Sequence, residues 1–185
     1  EQTNIMDAIS HGASDGMTIS INVIAMLIGV IALVALVDAL LGYFGLFLGW
    51  TGLSLDFIGL DVQNLRLKDV FGAFFSLFAI VMGVPVAESF EVGSLMGTKM
   101  VINEFVAYTD LAPMIQQGLL SPKSIIIASF ALCGFANFSS IAIQLGGIGA
   151  MVPSRKADLA RLGFKAMICG TMASYISASL AGILM

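Results

Sequence analysis

Uncharged apolar runs divided by short polar punctuation organise the 185-residue chain. From Gly16 to Val37, 22 residues carry no charge, and the apolar character continues past Asp38 to about Gly49. A helix needs about 20 such residues to cross a bilayer, so residues 16–49 read as a transmembrane helix. Asn22 and Gly29 suit close helix packing, while Tyr43 and Trp50 read as an interfacial belt. Ahead of this run, residues 1–15 are polar and read as a cytoplasmic loop or linker, with His11 exposed in it. The chain starts at Glu1 without a signal-peptide pattern, which raises the expectation of a truncated polypeptide. A second uncharged run, Ser124 to Ser154, covers 31 residues but is interrupted by Gly134, Asn137, Ser139 and Ser140. Such residues at mid-run predict an unwound stretch, so residues 124–153 read as a discontinuous transmembrane helix. Residues 166–185 supply 20 uncharged positions rich in Ala, Ser and Gly, a closely packed final span.

Between these runs the apolar stretches are shorter. Residues 50–84 read as a loop followed by a tilted interfacial helix, with Leu67, Phe71, Phe74, Phe75, Phe78 and Met82 on one face and Arg66 and Lys68 toward the headgroups. A full crossing by the 18 uncharged residues Val70–Ala87 competes with that reading. Gly83 and Pro85 end the segment. Residues 85–118 hold two arms, Val86–Val101 and Phe105–Ile115. Each reaches roughly 24 Å or less, short of the ~30 Å hydrocarbon core, which predicts a re-entrant hairpin with Asn103 and Glu104 near its tip. The expected fold is therefore an all-α membrane protein: three crossing segments, an interfacial helix and a re-entrant hairpin.

Composition supports this class, at 58% hydrophobic and 11% charged residues. The net charge of −4 says little about partners, and no basic patch suits nucleic acid. Residues 154–165 carry Arg155, Lys156, Arg161 and Lys165, half of the eight basic residues, and read as a cytoplasmic loop by the positive-inside rule. The last helix then runs outward, the hairpin opens outside, and the N-terminal segment lies in the cytoplasm. Cys133 and Cys169 fit no metal spacing and read as small buried hydrophobes. No Ser-His-Asp, Cys-His or phosphate-binding pattern is present, and an enzyme is the least expected class.

The chemistry concentrates in Gly97–Tyr108, where Lys99, Asn103 and Glu104 fall at membrane depth, a costly placement that marks functional candidates. Lys99 either screens the charge of Glu104 or reaches an interface, and it receives no ligand role. Asn137 and Ser140, three apart, share one helical face and offer amide and hydroxyl groups. The plain alternative for both is to bridge neighbouring helices.

The pattern Gly97-x-Lys99-x-x-x-Asn103-Glu104-Phe105-Val106-Ala107-Tyr108 resembles the signature of the concentrative nucleoside transporters, and Gly134-Phe135-Ala136-Asn137-Phe138 with Ser140 resembles their next motif. The resemblance covers essentially the whole chain but only the C-terminal half of that family's fold. It implies half of an inverted-repeat, elevator-type transporter in the inner or plasma membrane, assembled as a homotrimer. It also implies symport of nucleosides such as uridine with a cation, sodium by resemblance and a proton as the alternative, and no other cofactor. Glu104, Asn137 and Ser140 would then bind the ribose hydroxyls and Phe135 would border the sugar, with Asn103 and Lys99 in support. No first hairpin with a Gly-Gln-Thr-Glu type sequence is found. The nucleobase-binding half and the principal cation site are expected in an N-terminal half outside this sequence. The rival reading is a non-transporting assembly subunit whose intramembrane polar residues only pack helices. A transporter's polar groups should converge on a water-accessible cavity, whereas packing groups should satisfy one another.

Overall fold

A computed structural model describes residues 4–51 and 65–185. The described residues form seven α-helices: α1 (Ile5–Trp50), α2 (Leu67–Val81), α3 (Ser89–Val101), α4 (Glu104–Gln116), α5 (Pro122–Leu132), α6 (Phe138–Met151) and α7 (Lys156–Ile183). Residues 1–3 and 52–64, which carry part of the N-terminal loop expectation and most of the Gly-punctuated segment, lie outside the described residues.

The first helix begins eleven residues before the expected Gly16 boundary, so the reading of residues 5–15 as a loop is corrected. Asn4 makes the early start: its side chain accepts from the Asp7 amide at 2.9 Å and closes the helix end. His11 lies one turn beyond Asp7, its Nε2 3.6 Å from Oδ1 of Asp7, and is exposed on a helix rather than a loop. At about 1.5 Å per residue α1 extends roughly 69 Å. By length and composition Ile5–Trp50 and Pro153–Ile183 are each sufficient to cross a membrane, whereas α5 and α6 are shorter apolar helices.

The core is built on α3, where Val92, Leu95 and Met96 are all but inaccessible. One side of α3 meets α2 through glycines. A Cβ at Gly93 would fall 2.5 Å from the Gly72 carbonyl oxygen, and one at Gly97 would fall 2.8 Å from the Gly72 nitrogen. The buried residues of α2 are Gly72, Phe75 and Ala79, so the expected aromatic face is divided: Phe75 is in the core and Phe71 packs against it. At Gly72 backbone-to-backbone contact leaves no space for a large side chain. Phe74 and Phe78 stay 53% and 41% exposed. The rings of Phe75 and Phe78 instead pack on Tyr175 of α7, at centroid distances of 6.0 and 6.1 Å.

Between α2 and α3 the chain turns at Gly83, whose φ of 102° suits glycine, and at Pro85. The two ends of the α3–α4 hairpin are tied together: Oε2 of Glu88 accepts from both the amide and the hydroxyl of Ser121, each at 2.9 Å. Ser121 also caps α5, with Pro122 in its first turn. After α6, the basic stretch expected as a loop is the opening of α7. Arg155 and Arg161 flank Asp158 at 2.7 and 3.7 Å, and opposite charges three residues apart favour helix. Cys133 and Cys169 are free and exposed rather than buried, Cys133 because it is the C-cap residue at the end of α5.

The N-terminus of α2 is capped from α1, where Oδ1 of Asp38 accepts from the Leu67 amide at 2.7 Å. Along α6 the contact with α1 is apolar. A Cβ at Gly146 would lie 3.1 Å from the Asn22 carbonyl oxygen, and Gly147 faces Ile19 and Val23.

Candidate functional site

Two helix breaks meet at the centre of the molecule, and each is built from an asparagine. At the hairpin tip Asn103 is extended (φ −170°) and its side chain accepts from the Val106 amide at 2.9 Å. This cap starts α4 and makes Glu104 its first residue. Between α5 and α6, Asn137 is likewise extended (φ −153°). Its Oδ1 accepts from the Ser140 amide at 2.7 Å, while Oγ of Ser140 accepts from the Asn137 amide at 3.0 Å, a reciprocal capping box. The Ser140 hydroxyl also bonds the carbonyls of Phe135 and Asn137.

The two breaks are joined directly. Nδ2 of Asn137 donates to Oε2 of Glu104 at 2.8 Å. The Ser139 hydroxyl donates to the Ile102 carbonyl at 2.9 Å. Glu104 thus sits at the N-terminus of α4 while bonded to the N-cap of α6, and both helix ends present positive dipole to its carboxylate.

On the other side of the break the last carbonyls of α5 lack intrahelical partners. Both hairpin arms supply them: Tyr108 Oη donates to Ser129 at 2.7 Å, and Lys99 Nζ donates to Ala131 at 2.9 Å. Lys99 is fully buried, its Nζ 6.0 Å from the Tyr175 ring centroid. The reading in which it reaches an interface is therefore corrected; it sits beneath the break because the carbonyl end of α5 offers a buried cation its partners.

A cavity of about 220 Å³ opens beside the second break, its wall including Phe135, Asn137, Ser140 and Gln144. The wall is completed by α7, which approaches closely at Gly163 and Gly170, where a Cβ would fall 2.9 Å from Ile141 and 3.2 Å from Ala136. Phe135 is 74% exposed at this cavity. Glu104 is not part of the wall and meets it through Asn137. Sequence reasoning gave no role to Ser139, Tyr108 or Gln144. Tyr108 had a signal, since it lies one helical turn from Glu104 inside the quoted motif; Ser139 had none. Among the described residues no group of three or more His, Cys, Asp or Glu side chains is placed to hold a metal ion.

Residues 1–182 match the model of a family described as Na+ dependent nucleoside transporter C-terminus. The chain belongs to this family. It is 46% identical over 180 residues to the uncharacterized transporter YutK of Bacillus subtilis, covering 97% of this chain and 41% of that protein. It is 37% identical over 186 residues to the nucleoside permease NupC of Helicobacter pylori, covering 99% of this chain and 42% of that protein. Its fold is similar to CNTnw in an outward-facing state, with a TM-score of 0.85 and 40% identity, covering 100% of this chain and 43% of that one. The chain therefore spans about two fifths of the length of these relatives. The described residues share the all-helical membrane-protein fold of that structure.

Proposed function

We propose that this chain forms the ribose-binding half of the substrate site in a cation-coupled nucleoside symporter. The single observation that carries the reading is the cavity on which Phe135, Asn137 and Ser140 converge and which Asn137 links to Glu104. Oε2 of Glu104 is engaged by Asn137, and no described residue bonds Oε1. A carboxylate oxygen in that state accepts from a sugar hydroxyl, and the second Nδ2 hydrogen of Asn137 is a donor to its neighbour. The cavity's volume lies below the roughly 300–1,000 Å³ of complete ligand pockets, in keeping with a site that holds the sugar and leaves the base to an N-terminal half. Sodium is the coupling ion by family, and its principal site belongs to that other half. The complete assembly is a homotrimer in the inner or plasma membrane.

A second reading, helix packing without transport, draws on the Ser140 hydroxyl, which is spent on the break itself. One experiment separates the two. Binding of uridine and of its 2′- and 3′-deoxy analogues is compared for the full-length protein and its Glu104→Gln variant. Hydrogen bonds to charged groups contribute about 1.5–3 kcal/mol, so the variant is expected to bind uridine roughly ten- to hundredfold more weakly and to lose its preference for the full diol. An unchanged preference in a well-folded variant rejects the ribose assignment and leaves the packing reading.

A further inference from the structure

Lys99 of the hairpin motif has no task in the ribose reading. It is also the largest fully buried side chain among the described residues. No described carboxylate comes within ion-pair distance of its ammonium. A buried charge without compensation is costly, so its surroundings must supply other support. They do so in four ways. Its Nζ donates to the Ala131 carbonyl at 2.9 Å. It stands at the C-terminal end of α5, the negative pole of that helix. The Tyr175 ring lies 6.0 Å away, and a Cβ at Gly134 would come within 3.6 Å of Nζ, so the backbone of the break packs against it. Finally, Glu104 opens α4 just across the hairpin tip from the last turn of α3, which carries Lys99. Carbonyl oxygen, helix C-terminus, aromatic face and nearby carboxylate together form a cation site, and the cation in it is part of the chain.

We propose that Lys99 serves this half of the transporter as a tethered cation: its ammonium holds the carbonyl end of α5 in the position a bound ion would otherwise have to hold it. Through residues 133–137 it thereby sets Asn137 against Glu104. Lys99 does not touch the substrate and is a positioning residue. Only its effect on nucleoside affinity rests on the ribose reading above; its electrostatic coupling to Glu104 does not.

The test uses the full-length protein and has two arms. In the first, thermal unfolding in detergent is followed for Lys99→Gln, Glu104→Gln and the double variant. Lys99→Gln is expected to lower the melting temperature by several degrees, and by half of that or less in the Glu104→Gln background, since coupled sites are not additive. Equal shifts in both backgrounds overturn the proposal. In the second, uridine affinity is measured for Lys99→Ala with millimolar methylammonium or tetramethylammonium. Roughly tenfold weaker binding, restored in part by methylammonium, which can donate, and not by tetramethylammonium, which cannot, is the expected result. Unchanged uridine affinity in folded Lys99→Ala, or equal effects of the two ions, overturns it. Should Lys99→Ala fail to fold, its folded yield with methylammonium replaces affinity as the readout, and absence of rescue counts against the proposal. Wild-type protein that does not bind uridine rejects the ribose reading alone, and the first arm still decides for Lys99.

Discussion

The hydroxyl of Ser139 donates to the carbonyl of Ile102 at 2.9 Å, joining two chain breaks 37 residues apart. Ile102 is the C-cap of α3, so its carbonyl belongs to a helix end. Ser139 is buried, and replacing it with alanine strands that acceptor. Ser139→Ala is expected to cost about 1–3 kcal/mol, read as a lowered melting temperature in detergent. Unaltered melting would show that the two breaks hold together without it.

Asn137 carries two separable duties, and three substitutions divide them. Asn137→Asp keeps the oxygen that caps α6 but exchanges the donor facing Glu104 for a second negative group. It is expected to retain the helix cap while weakening uridine binding at neutral pH more than Asn137→Ser does. Asn137→Ala removes the cap as well and is expected to lose an additional ~1 kcal/mol of stability. Comparing affinity with melting temperature across the three variants checks this, and parallel losses in both quantities would argue against the division.

Glycine substitutions should have opposite signs at two places. At Gly93 an added methyl group meets the backbone of α2 at Gly72 and Ser76, with contacts of 2.5 and 2.6 Å that only separation of the helices can relieve. Gly93→Ala is therefore expected to reduce the folded yield strongly. At Gly12, on α1, nothing lies within 4 Å, and Gly12→Ala should stabilise by about 0.5–1 kcal/mol through helix propensity alone. Yield and melting curves of the two variants, measured side by side, test the contrast.

Asp38 interrupts an apolar run and serves as the external cap of α2. Asp38→Ala is expected to cost about 0.5–2 kcal/mol and to increase amide hydrogen exchange in the first turn of α2 before it affects α3. Uniform exchange across both helices would show that the cap has no local role.

The break between α5 and α6 was legible because asparagine, glycine and serine at mid-run conflict with a continuous helix, and the one between α3 and α4 because each arm is too short to cross a bilayer. Asn103 and Asn137 marked both, and the structure gives them the same capping geometry. The direct partners of those breaks were not legible. Ser139 looks like any small residue of a membrane helix, and the fate of Lys99 depends on α5, which lies some 30 positions further along. The aromatic stripe of α2 reports which residues share a face and not which of them are buried: Phe75 is buried and Phe74 exposed. The better signal was Gly93-x-x-x-Gly97, whose spacing allows two backbones to touch. Residues 5–15 and 154–165 read as loops because they are polar, yet Asn4 and Asp158 give each a local reason to be helical.

The seam between α1 and α6 has a mechanical consequence. Glycine and branched aliphatic side chains line it at Gly146, Gly147, Ile19 and Val23, so little there has directional preference. Hydrogen bonds would act as a latch, since each must break before displacement begins. An apolar seam acts as a ratchet track with shallow teeth, and its ridges recur after one helical turn of about 5.4 Å. Among the described residues the hydrogen bond from the Leu67 amide to Asp38 is then the directional side-chain tie between α1 and the rest of the fold.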